Sequence, residues 1–389
     1  MIQHPLELIA ILAIIELAIL WSANLPVLSG FFNIVSPIFF IYFLPMLASS
    51  LGLIDPQSPV LNLVTTHLLP PALFLLLVTV DIRAIFRLGP QALGIFFIGS
   101  AGVLAGTVLA FLAFKPVIGA HYWGGFAALS ASWTGGSANM IAVKEALSVP
   151  DQIFSPMVVV DTIIPYLWMG ILIAAARLQP VFNRWNCPDT AILTALRRKT
   201  SSVSNEKPQW TFAGTLLVIV CAFLASELTI YASAFLPVIK NVLSRSAWSV
   251  ILITVTALGL SLTPVRRLHR YGAGQIGSWM LYFVLAGIGA KATLTDFKSS
   301  IVLLAAGGII ILTHLIFLLT GARLLRLPLS LVAAASQANI GGVASAPVVA
   351  AVFDPSLASV GLLMAITGNI LGTYLGGLCA FFCHSLSLL

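Results

Sequence analysis

Apolar runs separated by short polar or proline-bearing intervals recur from one end of this chain to the other. They fall near residues 6–21, 34–53, 60–80, 91–114, 121–147, 153–176, 211–236, 247–263, 273–290, 299–322, 328–353 and 356–382. A helix crosses hydrocarbon with ~20 apolar residues, whereas barrel strands read as shorter alternating segments. Backbone amides in lipid must be satisfied within the segment, so these runs predict helices. The pattern therefore predicts an all-α polytopic membrane protein.

Composition sharpens this. Of 389 residues, 59% are hydrophobic and only 8% are charged, against ~25% charged in soluble domains. A soluble globule is excluded. The opening stretch "MIQHPLELIAILAIIELAILW" lacks a basic leader region, carries Glu7 and Glu16, and shows no small-residue cleavage site. It reads as a first membrane helix rather than a removed signal. The four cysteines, Cys187, Cys221, Cys379 and Cys383, have no paired metal-ligand spacing, so neither a disulfide framework nor a zinc site is expected.

One long polar stretch interrupts the pattern between the sixth and seventh runs. It holds Arg177, Arg184, Arg197, Arg198, Lys199 and Lys207, and the excess of positive charge in cytoplasmic loops places it inside the cell. The net charge of +7 thus reports orientation before it reports any acidic partner, and nothing points to nucleic acid. The expected location is the cell's inner (plasma) membrane.

The stretch also divides the chain into similar halves. "ELAILWSANLPVL" (16–28) matches "ELTIYASAFLPVI" (227–239) at eight of thirteen positions. At nearly the same offset, Gly135-Gly136 falls on Gly341-Gly342, and "VDTIIPY" (160–166) falls on "GNILGTY" (368–374). Three matches in order predict an internal duplication, with a first repeat over 1–177, a cytoplasmic basic linker over 178–208 and a second repeat over 209–389. Inverted repeats each need an odd number of crossings. The expectation is five transmembrane helices per repeat plus one broken or re-entrant segment, and the glycine-bearing fifth and eleventh runs are the candidates.

Duplicated halves in a membrane bundle point to a secondary transporter whose site lies where broken helices meet. Thr134, Gly135, Gly136, Ser137 and Asn139 in the first half, with Gln337, Asn339, Gly341, Gly342 and Ser345 in the second, place uncharged oxygen and nitrogen at helix breaks. Open N-terminal amides there suit anions, and unwound carbonyls suit cations. The rival reading is close helix packing through small residues, without a ligand. Asp161, set among valines, is the expected ion-coupling group. It would act as a proton carrier or a Na⁺ ligand, with its counterpart Asn369 and neighbouring Thr367 completing that set. No cofactor other than Na⁺ is expected. Glu16 and Glu227 rank second as matched carboxylates. Asp81 and Lys291 read as interface residues, His314 as a satisfied core histidine, and Lys144-Glu145 as a solvated helix end.

The segments "SASWTGGSANMIAVKEAL" and "ASQANIGGVASAPVVAA" resemble the YjcL-like membrane proteins of bacteria and plastids, over essentially the whole chain. That family is of unknown function and is grouped with the cation–proton antiporter and anion-transporter superfamily, which includes bile-acid-type and glutamate–sodium symporters. The resemblance implies inverted repeats split into a scaffold and a mobile transport domain that moves as an elevator. It also implies an acidic residue on the helix after the first break, where Asp161 stands without a paired acidic or Asn-Asp motif. Relatives of this architecture are often dimers, so a homodimer is an open expectation.

The function expected is transport of a small polar, anionic solute coupled to Na⁺ or H⁺. A channel would use the same breaks as a continuous pore. An intramembrane enzyme is disfavoured: "GAGQIG" (272–277) follows a basic loop rather than a strand, and neither H-E-x-x-H nor G-x-S-x-G occurs, so no nucleotide or hydrolase site is indicated.

Overall fold

A computed structural model describes residues 4–32, 37–189, 192–193, 196, 208–237, 245–291 and 300–388. Arg197, Arg198, Lys199 and Lys207 of the expected linker lie outside the described residues. Among those described, the chain is helical and has no β-strand. The helices are α1 (Pro5–Ala23), α2 (Pro26–Phe32), α3 (Pro37–Ser50), α4 (Pro59–Val78), the short α5 (Ile82–Ile85), α6 (Gly89–Ile118), α7 (Trp123–Gly135), α8 (Ser137–Ala146), α9 (Asp151–Ala175) and α10 (Gln179–Asn186). The second half follows with α11 (Phe212–Ser233), α12 (Arg245–Ser261), α13 (Ala273–Lys291), α14 (Ser300–Leu325), α15 (Leu329–Ile340), α16 (Gly342–Phe353) and α17 (Ala358–Ser387).

Among the described residues, each apolar run of the sequence falls on one or two of these helices. The fifth and eleventh runs are each split in two, as α7–α8 and α15–α16. Among the described residues eight helical stretches are long and apolar enough to cross a membrane, and α12 with the 3₁₀ segment that follows it would make a ninth. The protein is an all-α polytopic membrane protein. The bend after α12 is 96° and has a local cause. Pro264 cannot continue a helical hydrogen-bond ladder, and the Thr263 hydroxyl accepts from the Val265 amide at 3.3 Å instead.

The chain forms two compact units, and each draws on both sequence halves. The first takes Met1–Val80, Lys144–Thr162 and Glu206–Ile301; the second takes Asp81–Val143, Ile163–Asn205 and Val302–Leu389. Compact packing thus does not follow the 1–177 and 209–389 division of the sequence.

In the first unit α4 is the central element, with α11, α12 and α13 packed on it, while α3 lies on α13. Leu8, Leu12, Ile41, Leu61, Val64 and Ala286 are buried together there. Close approach is bought by glycine: a Cβ on Gly277 would lie 2.9 Å from the Leu75 Cβ, and one on Gly289 would strike the Tyr42 carbonyl.

In the second unit α17 is central, with α7, α15, α16 and α6 around it. Its core gathers Phe96, Leu318, Leu331, Leu363 and Met364 with many alanines. Asn186 ties α10 into this unit by donating to the carbonyls of Ala322 at 3.0 Å and Leu327 at 2.7 Å.

Candidate functional site

The two Gly-Gly pairs are the helix breaks. Gly136 has φ +82° and Gly342 has φ +66°. That left-handed region costs roughly 1–2 kcal/mol for a residue with a Cβ, so glycine lets each helix stop and restart within one residue. Both breaks belong to the second unit. The helix α7 packs against α15 and α16, and all three pack on α17.

At the first break, the carbonyl of Gly136 accepts from the amides of Asn139 and Met140 at 3.0 and 3.3 Å. The amides of Ser137 and Ala138 then stand outside the α8 ladder, as the first amides of any helix do. Asn139 fastens this start of α8 to α17. Its Nδ2 donates to Gly135 O at 2.6 Å and to Asn369 O at 3.2 Å. Its Oδ1 accepts from the Thr373 amide at 2.9 Å and from Thr373 Oγ1 at 2.6 Å. Both donors and both lone pairs of the amide are therefore in use, and the residue is buried.

The polar groups that remain open lie beside it. Ser137 and Asn369 are half-buried, and neither side chain takes a hydrogen bond among the described residues. Asn369 Oδ1 lies 3.7 Å from where a Cβ on Gly136 would sit. Thr134 and Thr367 are buried and turn their hydroxyls onto the carbonyls one helical turn back, Ser130 O at 3.0 Å and Leu363 O at 2.9 Å.

The second break repeats the arrangement with other partners. Asn339 is fully buried and fastens the end of α15 to α6. It donates to Phe96 O at 3.2 Å and Ala335 O at 3.0 Å, and accepts from Ser100 Oγ at 2.7 Å. Gln337 donates from Nε2 to Ser345 Oγ at 2.8 Å and to Pro165 O at 3.4 Å. Its Oε1 is buried and takes no hydrogen bond among the described residues. A Cβ on Gly341 would collide with both the Gln337 amide and the Ser345 hydroxyl. An unmet buried acceptor beside a helix break is costly, about 1–3 kcal/mol.

Asp161 lies half-buried on α9 in the first unit, whereas Asn369, Thr367 and the break residues belong to the second. Among the described residues no three His, Cys, Asp or Glu side chains converge in a group able to hold a metal ion.

One expectation about a charged residue needs correction. Lys144 is not solvated. It is buried, with Nζ 2.8 Å from Glu145 Oε1 and 2.9 Å from Asp151 Oδ1, over the Phe154 ring. The cause is the tight reversal between α8 and α9 at Ser148, with φ +52°, which brings Asp151 back onto Lys144. Asp81 is an N-cap: its Oδ1 accepts from the Ala84 amide at 3.1 Å. The reading of His314 holds. Its Nδ1 lies 2.9 Å from Gly99 O, which can only accept, so Nδ1 carries the proton. Nε2 then accepts from Ser336 Oγ at 3.0 Å, and Ser336 in turn accepts from Trp168 Nε1 at 2.9 Å.

The sequence reading missed the seat for the first break, a row of glycines at Gly368, Gly372 and Gly376. A Cβ on Gly368 would strike Thr134 O; one on Gly372 would lie 2.8 Å from Ala131 O; one on Gly376 would lie 3.2 Å from Ala127 O. Glycines spaced by four on one helix let a second helix approach backbone to backbone. The spacing in "GNILGTYLG" carried that signal. A similar row, Gly99, Gly102 and Gly106 on α6, admits α14.

These features define a class: a multi-pass helical membrane protein with two glycine-hinged broken helices in one compact unit. The chain belongs to the family described as "Protein of unknown function (DUF819)", whose model matches residues 10–386. It is similar to "Uncharacterized membrane protein YjcL" of Bacillus subtilis (strain 168), at 26% identity over 351 residues, covering 85% of this chain and 86% of that protein.

Proposed function

We propose that this protein is a secondary active transporter, in the cell's inner membrane, of a small polar, anionic solute coupled to Na⁺ or H⁺. The observation that carries the reading is the pair of helix breaks at positive-φ glycines, Gly136 and Gly342, both bordering α17. Non-helical backbone at membrane depth persists only where protein or a wet cavity receives it, and the breaks free helix N-termini that attract anions.

In this reading Asn139 and Asn339 hold the breaks open rather than touch the solute, because protein groups already use their amides. The amides of Ser137 and Ala138, the Ser137 hydroxyl, the Asn369 side chain and Gln337 Oε1 would meet the solute. Gly135, Gly341 and Ser345 shape the breaks, while Thr134 and Thr367 line the α7–α17 contact. Asp161 would carry the coupling ion. The interleaving of both halves in each compact unit supports inverted repeats divided into a scaffold and an elevator-type transport domain. No catalytic role is assigned.

Counterflow in proteoliposomes tests the reading. A carrier preloaded with unlabelled solute accumulates labelled solute transiently, and a channel or an enzyme does not. Asp161→Asn should abolish ion-driven uptake while leaving exchange intact. Ion dependence that survives in this variant would remove Asp161 from the mechanism.

A further inference from the structure

The first unit holds a cavity of about 260 Å³ between α4, α11 and α12, enough for about eight waters at ~30 Å³ each or for a molecule of amino-acid size. We propose that it binds a small zwitterion: an anionic group and an ammonium group joined by a short apolar spacer.

Two opposite charges face this cavity without touching. Arg245, the first residue of α12, and Glu145, near the end of α8, both line it. Among the described residues Arg245 forms no ion pair, and Glu145 pairs only with Lys144. Lys144 is shared with Asp151, and Lys291 lies within electrostatic reach of all three, so the two carboxylates share two ammonium groups. Glu145 Oε1 receives the Lys144 ammonium at 2.8 Å, and its second oxygen takes no hydrogen bond from the described residues. The poles are therefore a guanidinium on one helix and, on another, a carboxylate with one oxygen open to the cavity.

A simple anion would meet Arg245 but be repelled by Glu145, and a simple cation would meet the reverse. At equal range the two interactions are of similar size, so one mismatched contact offsets one matched contact. A zwitterion satisfies both.

Uncharged groups complete the site at each pole and between them. Ser249 lies one turn beyond Arg245 and lines the same cavity; it is buried and its hydroxyl takes no hydrogen bond among the described residues. Thr66 also lines the cavity, with a hydroxyl that makes no bond among the described residues. Leu69 and Ile230 form apolar wall for the spacer. The Arg245 fork suits a carboxylate or a phosphate equally. Both a free amino acid and the head of an ethanolamine phospholipid carry this chemistry. The inference stands on the first unit alone and does not depend on transport.

The full-length protein, delipidated in detergent micelles, is titrated with 4-aminobutyrate, butyrate and butylamine. The zwitterion should bind at least tenfold more tightly than either single-charge analogue. Arg245→Gln and Glu145→Gln should each erase that preference. Arg245 is exposed and forms no ion pair among the described residues, so Arg245→Gln should melt as the wild type does. Ser249→Ala removes an unsatisfied hydroxyl; it should keep or raise stability and still weaken 4-aminobutyrate several-fold, a split that a purely structural role would not give.

Repeating the titration in nanodiscs identifies the source. Loss of 4-aminobutyrate binding in phosphatidylethanolamine discs but not in phosphatidylglycerol discs makes the lipid headgroup the occupant. Equal binding in both makes it a free solute, and either result upholds the site. Butyrate binding as tightly as 4-aminobutyrate, unchanged preference in Arg245→Gln, or no zwitterion binding in micelles overturns it.

Discussion

Replacing Asn139 with alanine should separate its role as a fastening from any role as a ligand. The side chain makes four hydrogen bonds, two to carbonyls at 2.6 and 3.2 Å and two from Thr373 at 2.9 and 2.6 Å. Hydrogen bonds inside membrane proteins average about 0.6 kcal/mol each, which gives roughly 2.4 kcal/mol for the set. Leaving the Thr373 hydroxyl and the Gly135 carbonyl without partners in a buried place adds to this. The total expected is about 2–4 kcal/mol.

For a cooperative body of ~200 residues, 1 kcal/mol moves the midpoint by about 2–4 °C. The variant should therefore melt roughly 4–16 °C below wild type. Intrinsic tryptophan fluorescence during heating measures it, because Trp133 is buried near the end of α7. Asn339→Ala, which removes three bonds, should shift the midpoint by somewhat less. If Asn139→Ala melted within about 1 °C of wild type, the amide would not be holding α8 to α17, and its assignment as a fastening would be wrong.

Two further results are expected. Gly372→Ala places a Cβ 2.7 Å from Asn139 Cγ and 2.8 Å from Ala131 O, so it should destabilise by about 1–3 kcal/mol; Gly377→Ala, where nothing lies within 4 Å, should be neutral or gain up to about 1 kcal/mol, and paired thermal melts compare them. Lys144→Met strips the cation from two carboxylates and should destabilise by about 3–5 kcal/mol, with partial rescue by adding Asp151→Asn; a single variant that melts like wild type would show that the triad contributes nothing.

Much of this architecture could be read from residue order. Each apolar run predicted a helix because lipid leaves the backbone no other partner, and the Gly-Gly pairs predicted where two of those helices break. What the sequence could not carry was the use of each polar side chain. Asn139 and Asn339 were expected at a solute because they sit beside glycines. Their amides instead meet α17 and α6, partners more than two hundred residues distant in sequence. Lys144 looked solvated because its second carboxylate, Asp151, reaches it only through the positive-φ turn at Ser148. The glycine row on α17 is legible by its spacing, but glycine carries no polar side chain to mark it as part of a site. The division into units was hidden for a different reason: each unit interleaves segments from both halves, and linear similarity does not report which helices pack.

That interleaving sets a timetable for biogenesis. The seat for α7 is α17, which leaves the ribosome long after it, and Asn139 waits for Thr373 across 234 residues. At ~5–20 residues per second, its partner arrives roughly 12–50 seconds later. Throughout that interval the glycine-bearing face of α7 stands in the bilayer or the insertion machinery without its neighbour, so a ribosome stalled before residue 368 should leave a nascent chain that quality-control proteases recognise.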